Sequence, residues 1–277
     1  MNRRRFLATS TAVLSSAFFT AAASDGAEAS AVRTVRVALI QFDSVPEQVA
    51  RNRRQMERLA REAAGQGARW IVFHEGTVCD YTDRLEELAE TVPDGQTTQE
   101  MLALAGELDV CLSFGLSEQD GERFYITQVF VGPEGLIHRY RKTWLWRSPE
   151  DRGFRNEWSR YDPGSGPELF EIDGVRASCF ICADGNSQRC LDRIQDLRPQ
   201  IVFHPNNRTS LHGPKDYAQR ARAVGAPLLV PNRVGNSWVH ACDGGSMILA
   251  ADGTLLAAAN AEGREEVLLF DLPLPSR

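Results

Sequence analysis

From Thr34 onward the chain repeatedly follows a short run of β-branched and aliphatic residues with a helical amphipathic stretch, an alternation that confines it to an α/β architecture. The run Val35-Arg36-Val37-Ala38-Leu39-Ile40-Gln41-Phe42 predicts a first strand. Pro46 then opens a helix in which Val49, Met56, Leu59, Ala60 and Ala63 recur at helical spacing, so one face should lie on a sheet. Trp70-Ile71-Val72-Phe73 reads as a buried strand running into His74-Glu75-Gly76, and Thr97 to Leu108 as a second amphipathic helix. Val110 to Leu116 and Phe124 to Val131 read as neighbouring strands, and the turn Gly132-Pro133-Glu134-Gly135 leads to another at Leu136 to Tyr140. Further strands are predicted over 168–172, 175–181, 200–203, 227–230, 246–249 and 266–270. The stretch from Trp144 to Gly166 has few regular features, and a loop of that length in a compact domain is often functional. With no repeat or low-complexity linker to divide it, residues 34–277 read as one domain.

The composition, 43% hydrophobic and 25% charged, is ordinarily globular. The formal charge of −6 argues against sequence-independent nucleic-acid binding. Arg51, Arg53, Arg54, Arg58 and Arg61 alternate with apolar positions and read as the solvated face of the first helix. Residues 1–29 are different in kind: Arg3-Arg4-Arg5-Phe6-Leu7, an apolar run from Ala8 to Ala23, then small residues and acids. This resembles a twin-arginine export signal with a short linker, cleavable after Ala23 or Ala29, and implies passage through the twin-arginine machinery to a periplasmic or extracellular destination. The apolar run is shorter than the roughly 20 residues of a spanning helix, so no stable membrane anchor is expected.

Six cysteines (Cys79, Cys111, Cys179, Cys182, Cys190 and Cys242) are spread too widely for a disulfide scaffold. Cys179 and Cys182 have the spacing of a redox pair or half a metal site. Such pairs normally open a helix, whereas Val175 to Ile181 reads as a strand, in which residues three apart face opposite ways. Cys179, Cys111 and Cys242 are therefore expected in the core. Three reactive side chains stand where strands end: Glu75, Lys142 in Tyr140-Arg141-Lys142, and Cys182 in Ile181-Cys182-Ala183-Asp184.

In this order, these three resemble the Glu, Lys and Cys triad of the nitrilase-like carbon-nitrogen hydrolases. The likeness runs from Val35 to Leu272 and takes in Gln41, Pro163-Gly164, Asn232-Arg233-Val234-Gly235 and Gly244-Gly245-Ser246-Met247. It implies a four-layer α-β-β-α sandwich, a homodimer, and hydrolysis of a small-molecule amide with no metal or organic cofactor. Cys182 would be the nucleophile and Glu75 its base, because a thiol with a pKa near 8.5 needs help to ionise. Lys142 and the Ala183 N–H would hold the oxyanion. Glu157, six residues before Pro163, matches the family's second glutamate, which would orient substrate or water or keep Lys142 and Glu75 in register.

The resemblance also bears on substrate. Cys-x-Asp, with Asp184 two beyond the nucleophile, is typical of amidase and carbamoylase branches, and places Asp184 with Ala183 among the substrate contacts. The paired arginines that hold a carboxylate in the carbamoylase branch are replaced by Gly185-Asn186-Ser187, unless Arg189 or Arg208 substitutes. Trp144, where many relatives have His, is expected to line the pocket with Trp146, Trp158, Asn206 and Asn207. Gly225-Ala226 stands where the family usually has Glu-Asn, a glutamate expected to support the core around the site. The alternatives are an N-carbamoyl or nitrile hydrolase, a non-catalytic binding protein that retains the fold, or a thiol redox or metal protein.

Overall fold

A computed structural model describes residues 33–147, 157–209, 213–237 and 240–274. The export-signal segment, and 148–156 of the predicted long loop, lie outside the described residues. The strands are β1 (Thr34–Gln41), β2 (Trp70–Phe73), β3 (Cys111–Asp120), β4 (Arg123–Gly132), β5 (Gly135–Arg141), β6 (Phe170–Ile172), β7 (Val175–Cys179), β8 (Ile201–Phe203), β9 (Leu228–Val230), β10 (Val234–Asn236), β11 (Ala241–Asp243), β12 (Met247–Leu249), β13 (Leu255–Ala258) and β14 (Glu266–Pro273). The helices are α1 (Val49–Gly65), α2 (Leu85–Leu88), α3 (Gln96–Leu108), α4 (Gln188–Leu197) and α5 (Pro214–Val224). None of the described helices is long and apolar enough to cross a membrane.

Two six-stranded sheets carry the fold, ordered β14-β1-β2-β3-β4-β5 and β13-β12-β9-β8-β7-β6, with β10-β11 as a separate hairpin. Each sheet has three parallel strands at its centre, β1-β2-β3 and β7-β8-β9, flanked by antiparallel neighbours. Strands buried on both faces should be apolar throughout rather than alternating, and β1 shows why. Its Val37 and Leu39 join an apolar cluster with Ala177, Phe203 and Leu229 of the second sheet, while Ala38 and Ile40 face Met56, Leu59 and Ala63 of α1 and Leu104 of α3. A third cluster packs Val202, Leu228 and Val230 against Leu191 and Ile194 of α4 and Ala221 and Val224 of α5. Three cores between four layers make the α-β-β-α sandwich implied by the family resemblance. Each fully buried aliphatic or aromatic side chain in them contributes roughly 1.5–3 kcal/mol, so the layers are held mainly by this burial.

Most of the arginine-rich face of α1 is solvated, with Arg58 paired with Glu62 and Arg61 with Glu57 and Glu107, whereas the Arg53 side chain is largely buried beside Glu100. Gly225 departs from its expected role. It is the exposed cap of α5, in the left-handed region at φ 68°, and a Cβ there would meet no atom within 4 Å. A Cβ at 225 would thus point into open space rather than into the packed interior.

Candidate active site

The C-terminal ends of the central strands of both sheets converge. Glu75 lies two residues past β2, and its N–H donates to the Asn206 carbonyl beyond β8 (3.3 Å), joining the two sheets. Lys142 directly follows β5. Its N–H donates to Ile126 O (2.8 Å) and its carbonyl accepts from Gly164 N–H (2.9 Å). Pro163-Gly164 thus docks on the strand that carries the lysine, so closely that a Cβ at 164 would collide with the Arg141 carbonyl. Cys182 follows β7 and starts a 3-10 turn, Cys182–Asn186, with its N–H bonded to Pro205 O (2.9 Å). Its φ of 45° is left-handed, which costs a non-glycine residue roughly 1–2 kcal/mol and turns the side chain sharply off the strand axis.

Lys142 Nζ donates to Glu75 Oε1 and to Glu157 Oε1, both at 2.7 Å, and all three side chains are almost wholly buried. Glu157 Oε2 accepts from the Trp146 N–H (2.6 Å), while Glu75 Oε2 has no hydrogen-bond partner among the described residues. Burial raises the Glu75 carboxyl above its ordinary range and the Glu157 charge adds to this, against the opposing pull of Lys142. Burial alone would discharge Lys142, yet Glu157 and Glu75 outweigh it and hold the ammonium charged. Burial also raises the Cys182 thiol, with Arg208 and Lys142 pulling the other way. The arrangement is thus a protonated thiol beside a carboxylate of enhanced basicity and a permanent cation, a combination suited to transferring the thiol proton during attack.

A cavity of about 230 Å³ opens onto Cys182, lined by Tyr81, Trp146, Glu157, Ala183, Asn186, Asn207, Arg208, Thr209 and His240. It is small beside ligand sites of roughly 300–1,000 Å³, which favours a compact ligand. Ala183 is near the start of the 3-10 turn, where backbone N–H groups lack partners within the turn. Of the residues expected at the pocket, Ala183, Asn207 and Trp146 line it, whereas Trp144 and Trp158 are about half exposed outside it and Asn206 is buried behind it, donating to His204 O.

Asp184 is also placed differently from expectation: it is fully buried and does not line the cavity. Its Oδ2 accepts from Tyr140 OH (2.8 Å) and Ile181 N–H (2.9 Å), and its Oδ1 from Thr143 N–H (3.1 Å) and Trp144 N–H (2.5 Å). It therefore straps the loop after Lys142 to the turn that presents Cys182. The Cys179 and Cys182 thiols are both free, with Cys179 at the core between the sheets. His74 is buried and bonded through Nδ1 to Glu75 O (2.9 Å), and burial lowers its pKa to about 3.

Several neighbours carried no recognisable sequence signal: Tyr81, whose OH reaches Glu75 Oε1 only at 3.5 Å, Thr209 and His240; Asn186 was noted only as part of the segment that replaces the paired arginines. Behind the wall, Arg233 pairs with Asp80 at 2.8 Å, both fully buried, and Asp80 accepts from Asn207 Nδ2.

Two stacked sheets between helical layers, with a thiol, two carboxylates and a lysine where their strands end, define an α/β enzyme with the parts for nucleophilic hydrolysis. The profile of the carbon-nitrogen hydrolase family matches residues 36–277, and the chain belongs to that family. It is similar to a nitrilase from Pyrococcus abyssi, 27% identical over 245 residues covering 87% of this chain and 90% of the relative. It is also similar to an (R)-stereoselective amidase from a Pseudomonas species, 33% identical over 205 residues covering 71% and 70%. The crystal structure of an amidase from Nesterenkonia shares its fold, with a TM-score of 0.75 at 22% identity over 86% of this chain and 90% of the other.

Proposed function

We propose that the protein is an exported thiol amidase acting on a small non-peptide amide. The observation that carries this reading is the buried Lys142 ammonium, 2.7 Å from both Glu75 and Glu157, beneath a cavity onto which Cys182 opens. Glu75 takes the thiol proton as Cys182 Sγ bonds to the amide carbon, and the oxyanion is held by Lys142 Nζ and the Ala183 N–H. The intermediate collapses, the C–N bond breaks, and Glu75 passes its proton to the leaving amine, leaving a thioester on Cys182. Water then attacks the thioester and gives a proton to Glu75. The acid departs and the proton returns to sulfur. Glu157 keeps Lys142 in place and fixes the Trp146 backbone at the cavity mouth.

Amide rather than nitrile is supported by the Cys-Ala-Asp sequence and by the likeness to the pseudomonad amidase. Export by the twin-arginine route rests on the leader sequence, and sequencing the N-terminus of secreted protein for a start at Ser24 or Ser30 tests it. Homodimerisation rests on the family resemblance, and light scattering tests it. Function itself is tested by ammonia release from aliphatic amides, aromatic amides, carbamoyl compounds and nitriles, beside Cys182→Ala. Amide turnover that vanishes in the variant is expected. Turnover of nitriles only, or survival in the variant, would overturn the reading.

A further inference from the structure

Arg208 lies five residues past the end of β8 with its guanidinium turned onto the nucleophile. Its Nε donates to Cys182 Sγ at 3.1 Å and its Nη2 to the Cys182 carbonyl at 2.6 Å, so one side chain grips the cysteine by both sulfur and backbone. The residue is only 6% exposed, and Nη1 has no partner among the described residues. A buried guanidinium normally needs an anion, because its desolvation is strongly unfavourable without one. No carboxylate pairs with Arg208 among the described residues; Glu75 and the Tyr217 hydroxyl act on it only through space, and the ionisable group to which it donates a hydrogen bond is the sulfur of Cys182. Lys142 is differently placed, with its ammonium donating to two carboxylates rather than to sulfur.

We infer that Arg208 is a further catalytic residue, the cation that holds the Cys182 thiolate through a charge-assisted N–H···S hydrogen bond. This rests on Cys182 being the nucleophile. When Glu75 takes the thiol proton, negative charge appears on sulfur beside Nε, and Arg208 stays protonated throughout. As the C–S bond forms, sulfur surrenders that charge to the oxyanion held by Lys142 and Ala183. When the thioester breaks, charge returns to sulfur and Arg208 stabilises it again, now as the leaving group. The second bond, to the Cys182 carbonyl, holds the left-handed backbone that aims the sulfur. Among the charges around Cys182, Arg208 opposes the effect of burial most strongly, ahead of Lys142 and against Glu75 and Glu157, while the Tyr81 and Tyr217 hydroxyls and the Arg220 guanidinium also interact with it electrostatically.

The test is the pH dependence of Cys182 alkylation by iodoacetamide in full-length wild type, Arg208→Gln and Arg208→Lys, read by peptide mass so that the other five cysteines are scored separately. Arg208→Gln should move the midpoint up by about one pH unit and slow alkylation at neutral pH roughly threefold to tenfold, since higher intrinsic nucleophilicity partly compensates for less thiolate. Arg208→Lys should recover part of the shift. An unmoved midpoint overturns the inference, whether the variant raises KM only for carboxylate-bearing amides, as a substrate clamp would, or lowers only the melting temperature, as a structural arginine would. Should Arg208→Gln not fold, Arg208→Lys decides alone: the loss of the two-point grip should leave a smaller upward shift, and none overturns the inference. Alkylation needs no turnover, so failure here is distinct from failure of the nucleophile assignment, which would show as activity surviving in Cys182→Ala.

Discussion

Replacing Asp184 by alanine should cripple the enzyme without touching any atom that lines the cavity. Four donors would lose their acceptor: the Tyr140 hydroxyl and the backbone N–H groups of Thr143, Trp144 and Ile181. Leaving a buried donor unsatisfied costs about 1–3 kcal/mol, and relaxation and entering water keep such costs from adding fully, so Asp184→Ala should lose about 3–5 kcal/mol. Asp184→Asn separates shape from charge. Burial raises the pKa of this carboxyl against the lowering effect of its hydrogen bonds, which means that the charge is itself a burden. The asparagine keeps one carbonyl acceptor and sheds the charge, so it should lose only about half as much, roughly 1.5–3 kcal/mol. Urea unfolding at neutral pH, with slopes unchanged between variants, measures both. Because the carboxylate ties the residues beside Lys142 to the residue before Cys182, a slip of about 1 Å there should also cut kcat about a hundredfold in the alanine variant. Asp184→Ala within about 1 kcal/mol of wild type, with activity intact, would refute the reasoning.

Other variants probe the supports around the same centre. Glu157→Gln weakens a carboxylate contact of Lys142, and kcat should fall about tenfold to a hundredfold with little change in KM; a change confined to KM would assign Glu157 to substrate binding instead. Gly164→Ala forces the loop off the Arg141 carbonyl and should cost about 1–3 kcal/mol, measured by thermal unfolding, with a fall in kcat as Lys142 shifts; a neutral result would contradict that packing. His204 is buried against Phe180, and burial, with Arg220 and Arg208, holds its pKa well below 6.5. A depressed folded-state pKa gives stability that is present above the unfolded value and lost as pH falls. His204→Gln should therefore flatten the decline of stability below about pH 6.5 by up to roughly 1.4 kcal/mol per pH unit, and parallel curves for the two proteins would rule this out.

Sequence periodicity located the layers best where strands are long or apolar on both faces. Predicted strands over 35–42, 70–73 and 124–131 correspond to β1, β2 and β4 within about two residues, a typical boundary error. Helices α4 and α5 went unread, although both had a signal. In α4 Cys190, Leu191 and Ile194 share one buried face, but only ten residues carry it. In α5 Tyr217, Ala221 and Val224 recur after Pro214, but the buried Arg220 interrupts the apolar stripe because it donates to Gly185 O and Asn186 Oδ1 on the turn that begins at Cys182. Hairpin β10-β11 and strand β13 are only three or four residues long, too short for a period to show.

The reactive side chains were legible because each stands just past an identifiable strand and the three together resemble the family's Glu, Lys and Cys order, whereas none is distinctive alone. Their supports were harder to place, because side-chain direction beyond a strand end no longer follows the twofold alternation. Asp184 looked like a pocket residue from its closeness to Cys182, yet three of its four donors lie some 40 residues earlier in the chain. Arg208 appeared in the sequence only as a stand-in for a missing substrate clamp, and its contact with sulfur depends on β8 ending beside β7.

The central claim is that Cys182 carries the acyl group. The most direct measurement is mass analysis of protease-generated peptides from enzyme acid-quenched during turnover of its best amide. The account predicts the acyl mass on the peptide containing Cys182, hydroxylamine-labile as a thioester is, and absent from Cys182→Ala. An acyl group on any other residue, or undiminished turnover by Cys182→Ala, would contradict it.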